Sequence, residues 1–513
     1  MQLQRLTEDN TKYLKESVIY CVGSTESYIR ELCDTYQVRD NIVCVVDRNV
    51  RNRIGISVDG VEIPIKDASY LNVEDLSGKV LVITDDYYQE KYQLITESVC
   101  EKQSDMTVYY FVNRETAYEL SYRKQYTNTM LENIILFRSG PHASSYVKGM
   151  DFADNARALF EYLLENEYNR KYELVWLVKN PLEFERYHET PNLSFLSFDW
   201  SDSEKKEERD TYYRALCLAK YIFFTDAYGF ARNCRSDQIR VQLWHGCGFK
   251  TRVNFVRCEK RYEYTTVISD VYSKIHQDIY GLREDQILVT GYAKQDWLFH
   301  PVVDWKERLE IPKAEKYVFW LPTFRSANEQ LENLNEYELF GQMGFPVVYT
   351  YEMLEQLDAL LKSLDIVLVI KLQPFQNREK IGKIDMKNIV MLDNGQLAEK
   401  DIQINQLLGH ADALISDYSS VAVDYMLLDR PIAFTLDDVE EYEQSRGFVF
   451  DRIKEWLPGM EIETFDDMCI FIKEVESNVD STGAKRKMLM GRMHKYQDDN
   501  NCKRIMEALQ IQI

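Results

Sequence analysis

Apolar runs rich in β-branched residues recur along this chain, and most end in a turn followed by a segment with helical periodicity. In the first stretch the runs are SVIYCVG (17–23), NIVCVVD (41–47), KVLVITDD (79–86) and VYYFVN (108–113). ESYIRELCDTY and YYQEKYQLITESVCEK fall between them with helical spacing. Strands alternating with helices predict a parallel α/β sheet, so the first ~130 residues read as a small Rossmann-like domain. Its first turn lacks the glycine fingerprint of a dinucleotide site, because STES follows Gly23. Asp47 stands where a ribose-binding acid would stand. A structural, regulatory or partner-binding domain is the expectation for residues 1–130.

The pattern then restarts twice. ENIILFRSG (132–140), YELVWLV (172–178), AKYIFFTD (219–226) and VQLWHG read as a second series of strands, with VQLWHG closing it. DNARALFEYLLENE supplies a helix that Asp154 or Asn155 can cap. From about Pro301 a third series runs through YVFWLPT (317–323), DIVLVIKLQP (365–374), NIVML (388–392), ADALISD (411–417) and RPIAFT (430–435). The tail after Thr464 reads as largely helical. The expected domains are 1–130, 131–303 and 304–513, and a chain of 513 residues fits about three.

Composition narrows the class. A net charge of −22 argues against a general nucleic-acid binder and against broad adhesion to an anionic membrane surface. The ten cysteines form no C-x-x-C pair, and several, such as Cys21 and Cys44, sit inside apolar runs. They read as small buried hydrophobes in a reducing compartment. The N-terminal residues carry no hydrophobic signal core, and no run is long enough to span a bilayer, so a cytoplasmic protein is expected.

Candidate chemistry concentrates at turns that follow strands. VQLWHGCGFKTR (241–252) delivers His245 into a turn containing Gly246 and Gly248, followed by Lys250 and Arg252. A histidine beside flexible backbone and cations is placed to deprotonate a hydroxyl near a phosphate. SDYSSVAVDYMLLDRPIAF (416–434) runs from a buried strand through Asp417, Ser419 and Ser420 into a short helix containing Asp424. Free N–H groups at such a turn can hold phosphate. Arg325 in LPTFRS, Lys371 in KLQPFQ and Arg446 in RGFVFD each follow a strand or turn on the expected ligand side of a parallel sheet. No dense carboxylate cluster accompanies these cations, so no metal and no cofactor are expected.

WHG-x-G-x-K, PTFR, K-L-x-P and SDYSS-x-x-x-DY followed by RPIAF together resemble the CDP-glycerol glycerophosphotransferases, which build teichoic-acid-type polymers. DNARALFEYL, TGYAKQDWLF and HKYQDDNNCKRI support the likeness, which spans about residues 131–505. It implies a GT-B architecture, two Rossmann-like domains facing across a cleft, preceded here by the extra N-terminal α/β domain. The 131–303 domain would take the acceptor and the 304–513 domain the CDP donor. The likeness also implies transfer of glycerol phosphate to a hydroxyl of a polyol-phosphate, teichoic-acid-like or capsular acceptor, with release of CMP. His245 matches the family's base, with Gly246, Gly248 and Lys250 on the acceptor side. Arg325 matches the PTFR arginine. Lys371, Asp417, Ser419, Ser420, Asp424 and Arg446 fall on the donor side. Peripheral attachment at the inner membrane face, through a lipid-linked acceptor, is implied in the same way.

Two positions depart from the family pattern. Gln373 replaces the second histidine of K-L-H-P and can hydrogen-bond but not transfer a proton. Gly291–Asp296 (GYAKQD) replaces G-x-P-R-x-D, with Lys294 for arginine, which keeps the charge but loses the planar fork. The alternatives are a CDP-ribitol transferase, a GT-B glycosyltransferase of cell-surface polysaccharide synthesis, and a catalytically degenerate nucleotide-binding scaffold.

Overall fold

The computed structural model describes residues 1–23, 26–47, 55–58, 60–67, 69–85, 88–99, 107–140, 148–225, 230, 233–251, 261–322, 345–371, 386–445 and 447–513. They divide into two compact units, Met1–Thr127 with Ser201–Glu204, and Asn128–Trp200 with Lys205–Ile513.

The first unit holds β1 (Gln2–Arg5), β2 (Val18–Val22), β3 (Ile42–Asp47), β4 (Gly55–Val58), β5 (Val61–Asp67), β6 (Lys79–Ile83) and β7 (Thr107–Tyr110). Their order is β1-β7-β6-β2-β3-β5-β4, parallel except for the β4–β5 pair at one edge. Successive side chains of a strand point to opposite faces. Cys21 and Val45 therefore join one core with Ile29 and Leu32, while Tyr20, Val22, Cys44 and Val46 join the other with Leu81 and Ile95. Both faces are covered, which is why β2 and β3 read as continuous apolar runs. β1, β4 and β5 escape the sequence reading because the edge strands β1 and β4 are short, and β5 between β3 and β4 alternates polar with apolar residues, so none holds such a run. Lys91 pairs with Asp47 at 3.1 Å and Asp85 at 3.5 Å, so the carboxylate that a ribose would need is engaged internally.

The second unit carries two parallel sheets. One contains β8 (Glu132–Arg138), β9 (Glu173–Val178), β10 (Leu193–Ser197), β11 (Ala219–Phe224), β12 (Ile239–Gln242), β13 (Tyr264–Val267) and β14 (Ile287–Val289), ordered β10-β9-β8-β11-β12-β13-β14. Sequence predicts that VQLWHG closes this series, and the structure corrects that: β13 and β14 follow it, four and three residues long, too short to stand out as apolar runs. The other sheet contains β15 (Lys316–Trp320), β16 (Ile366–Lys371), β17 (Ile389–Leu392), β18 (Ala413–Ser416), β19 (Ile432–Thr435) and β20 (Met460–Ile462), ordered β17-β16-β15-β18-β19-β20.

The tail corrects the expected grouping of residues 304–513. The last helix, Asn501–Ala508, does not stay with the β15–β20 sheet. Cys502, Ile505 and Met506, with Leu509 and Ile511, enter the core built on Phe137, Trp176 and Phe223 of the β8–β14 sheet. Apolar positions at helical spacing give that helix one apolar face, and it covers a face of the other sheet. The two halves are also pinned where Asp401 takes Arg157 at 2.8 Å and Arg186 at 2.5 Å.

Candidate active site

β12 ends at Gln242, and the chain then turns through Leu243 and Trp244 before His245. Trp244 has a left-handed φ of 51°. The turn is held from two sides: the Gln242 side chain accepts from Trp244 N–H at 3.0 Å, and Asn155 Nδ2 donates to the carbonyls of Leu243 at 3.1 Å and Trp244 at 2.8 Å. The expected helix cap is corrected here. Ala153 is the N-cap of the helix Asp154–Glu165, and the polar ends of Asp154 and Asn155 serve the histidine loop instead. Asp154 adopts a left-handed φ of 61°, a conformation Asp tolerates better than most residues, and Gln403 accepts its N–H at 3.2 Å.

That backbone brings Asp154 Oδ2 to 2.6 Å from His245 Nδ1. Burial alone would raise the Asp154 carboxyl, but Lys294 and His245 outweigh it and hold the group below the usual carboxylate range. An ionised Asp154 accepts only, so Nδ1 is the ring nitrogen that donates to it. His245 keeps 41% of its side chain exposed, enough to reach a ligand.

Gly246 and Gly248 let this loop lie against the other half. A Cβ on Gly246 would come within 2.8 Å of Ser420 Oγ, and one on Gly248 within 3.1–3.3 Å of Ser420 Cβ, Cα and N. The loop continues as a short antiparallel bridge between Lys250 and Phe448, with Val449 N–H donating to Phe249 O at 2.8 Å. Lys250 Nζ lies 5.8 Å from the Tyr442 ring centre. On the other side of this contact, β18 ends at Ser416, Asp417 is fully buried, and Ser419 caps the six-residue helix Ser420–Tyr425.

One cavity of about 180 Å³ is lined from both halves, by Asp154, Thr225, His245 and Lys294 on one side and Lys371, Asn394, Gln403 and Asn405 on the other. His245 and Lys371, chosen from sequence on separate motifs, thus line one cavity from its two sides. Burial pushes the Lys371 ammonium down to about 8, with Asp393 opposing. Asp417, Ser419, Ser420, Asp424, Gly246, Gly248 and Lys250 are not among the residues that line the cavity. Arg325, Gln373 and Arg446 lie outside the described residues.

Three residues carry more of the site than sequence reasoning assigned them. Asp154 and Asn155 read only as helix caps, and Lys294 only as a departure from the family pattern. A readable signal was the Asp-Asn pair heading a helix in a chain that already needed a partner for its histidine.

The chain belongs to the CDP-glycerol:poly(glycerophosphate) glycerophosphotransferase family, which it matches over residues 122–510. It is 25% identical over 412 residues to a teichoic acid glycerol-phosphate transferase of Staphylococcus aureus, covering 74% of this chain and 93% of that one. It is 24% identical over 330 residues to the teichoic acid ribitol-phosphate polymerase TarK of the same species, spanning 60% of this chain and 60% of TarK's length. The wall teichoic acid polymerase TagF shares the fold, with a TM-score of 0.58 and 19% identity over 77% of this chain and 93% of the TagF chain. The architecture is GT-B, with the extra α/β unit at the N-terminus.

Proposed function

We propose that this protein transfers glycerol phosphate from CDP-glycerol to a hydroxyl of a polyol-phosphate acceptor and releases CMP. The observation that carries this reading is the Asp154–His245 pair sharing a cavity with Lys371 in a chain of this family. His245 Nε2 takes the acceptor's hydroxyl proton. The oxygen attacks the β-phosphorus of the donor in line, an O–P bond forms, and the bond from that phosphorus to the bridging oxygen breaks. CMP leaves with the electron pair, and the positive charge of Lys371 compensates the charge that moves onto it. The imidazolium is paired with Asp154 until its proton passes to solvent. Arg325 and Arg446 are assigned to the donor phosphates by their motifs, and Gln373 to a hydrogen bond where the family pattern has histidine. The donor turn at Ser419 and Ser420 acts beneath the histidine loop.

CDP-ribitol is the second donor to consider, because TarK carries ribitol phosphate in its name. The acceptor is a teichoic-acid-like or capsular glycan, lipid-linked at the cytoplasmic membrane face. None of the helices among the described residues is long and apolar enough to cross a membrane, and the net charge of −22 opposes direct adhesion to anionic lipid. Attachment therefore runs through the acceptor or a partner.

The test is CMP release from CDP-glycerol and CDP-ribitol with a polyol-phosphate primer. His245→Ala should lower kcat by about 10²- to 10⁴-fold, the usual worth of a general base. Asp154→Asn, which frees the wrong tautomer, should lower it at least about 100-fold. Undiminished turnover by His245→Ala would remove the base assigned here, and donor binding without CMP release across several primers would favour the scaffold.

A further inference from the structure

Lys294 of GYAKQD carries a charge beside His245 that the proposed transfer does not use. Its backbone N–H donates to Asn155 Oδ1 at 3.1 Å, the same amide that holds the Leu243 and Trp244 carbonyls. Its ammonium donates to the His245 backbone carbonyl and lies 3.3 Å from Asp154 Oδ1 and 3.5 Å from Asp424 Oδ2. The ammonium thus sits among three oxygens from three segments, hydrogen-bonded to one and at ion-pair distance from two, a setting that suits a compact point charge better than a planar guanidinium. Asp424 belongs to the β15–β20 half, where Gln295 Nε2 also donates to its Oδ1 at 2.7 Å.

The charges have a functional consequence. Burial raises the Asp424 carboxyl and Lys294 opposes that rise; with both carboxylates ionised, Asp154, Asp424 and Lys294 sum to −1 beside a neutral His245, and to zero once His245 takes a proton. Without Lys294 the same carboxylates would sum to −2, and they would hold the proton on His245 before any acceptor arrives. We propose that Lys294 is a positioning residue that ties the base to the other half and keeps His245 in its neutral, proton-accepting form near neutral pH. This rests on the transfer reading for its consequence in catalysis, but the protonation state of His245 can be read without it.

Other titratable groups among the described residues lie near the His245 loop. Behind its loop, burial drives the Cys247 thiol up to about 12 and His276 down to about 3, so both stay neutral across the working range. Lys371 faces the same cavity from the other half and keeps its own charge below about 8. Lys250, on the histidine's own loop, lies over the Tyr442 ring.

The experiment measures the acidic limb of kcat/KM against pH, together with an NMR titration of the His245 ring assigned by its loss in His245→Ala. Lys294→Met should move the limb and the ring titration upward by roughly one unit, as expected for removal of a nearby cation. Asp424→Asn should move both downward, and Lys294→Arg should leave both in place even if kcat falls. Opposite shifts from the two charge removals are what a merely structural role cannot produce. Unshifted titrations in both, or shifts of the same sign, would overturn the proposal. If Lys294→Met does not fold, Asp424→Asn and Lys294→Arg carry the test. A wild-type protein that releases no CMP defeats the transfer reading, while the ring titration still decides the role of Lys294.

Discussion

At the scale of single residues the site works by opposing charges held at short range. Asp154 holds His245 at Nδ1 and so fixes which ring nitrogen is turned toward a substrate. Asp154 stays ionised only because Lys294 and His245 outweigh the burial that would protonate it. Lys371 sits at the other extreme, a cation whose burial costs it part of its charge. With its titration drawn down to about 8, the sign of the effect on donor binding follows directly. Below that pH the ammonium is present to attract the donor phosphates of the proposed reaction, and above it the charge is lost. The KM for CDP-glycerol should therefore rise as pH passes through 8, and in Lys371→Met it should be high throughout and lose that step. Steady-state kinetics with the donor varied at saturating acceptor would check this. A wild-type donor KM that stays flat across pH 8 would show that Lys371 does not meet the phosphates.

At the scale of elements the GYAKQD segment explains how the halves are joined. Gly291 leaves room for Asn501, since a Cβ there would lie 2.1 Å from Asn501 Oδ1. Asp296 accepts from Asn501 N–H at 3.0 Å and Cys502 N–H at 2.9 Å, meeting free donors at the start of the last helix. Ile505, fully buried, then fills the core of the β8–β14 sheet. Ile505→Ala should destabilise the protein by about 2–5 kcal/mol, the usual cost of such a truncation. Urea unfolding followed by tryptophan fluorescence should show an earlier midpoint, and an unchanged midpoint would mean the helix is dispensable to that core. These elements also mark what could be read from sequence. Strands buried on both faces, such as β3, β9, β16 and β18, announce themselves as apolar runs; the end of β16 located Lys371, and the run leading out of β12 located His245. The edge strands β1 and β20 do not, because they are short and half of their side chains meet water. Nor could local pattern show that Asn501–Ala508 returns to a distant sheet, since an amphipathic helix states that it has an apolar face but not which surface covers it. Asp154 was hidden for a related reason. Its role depends on a left-handed backbone and on a partner 91 positions away, and no local spacing encodes either.

At the scale of the whole molecule, catalysis and the N-terminal unit separate cleanly. Every residue lining the cavity belongs to the second unit, and the family match begins at residue 122. The first unit has a core on each face of its own sheet, and Lys91 engages the acid that a Rossmann nucleotide site would leave open. A protein consisting of residues 128–513 should therefore fold and keep the donor KM of the full chain, with CMP release from CDP-glycerol intact on a short soluble primer. The informative comparison is with a long or lipid-linked acceptor. If the shortened protein matches the full chain on the short primer but falls behind on the long one, the N-terminal unit serves acceptor handling or attachment. If it also partitions to vesicles bearing the lipid-linked acceptor as well as the full chain does, attachment belongs to the second unit, and the role of residues 1–127 narrows to the growing polymer itself. Loss of donor binding on the short primer would instead show that the cavity depends on the N-terminal unit, against the division of labour argued from its lining.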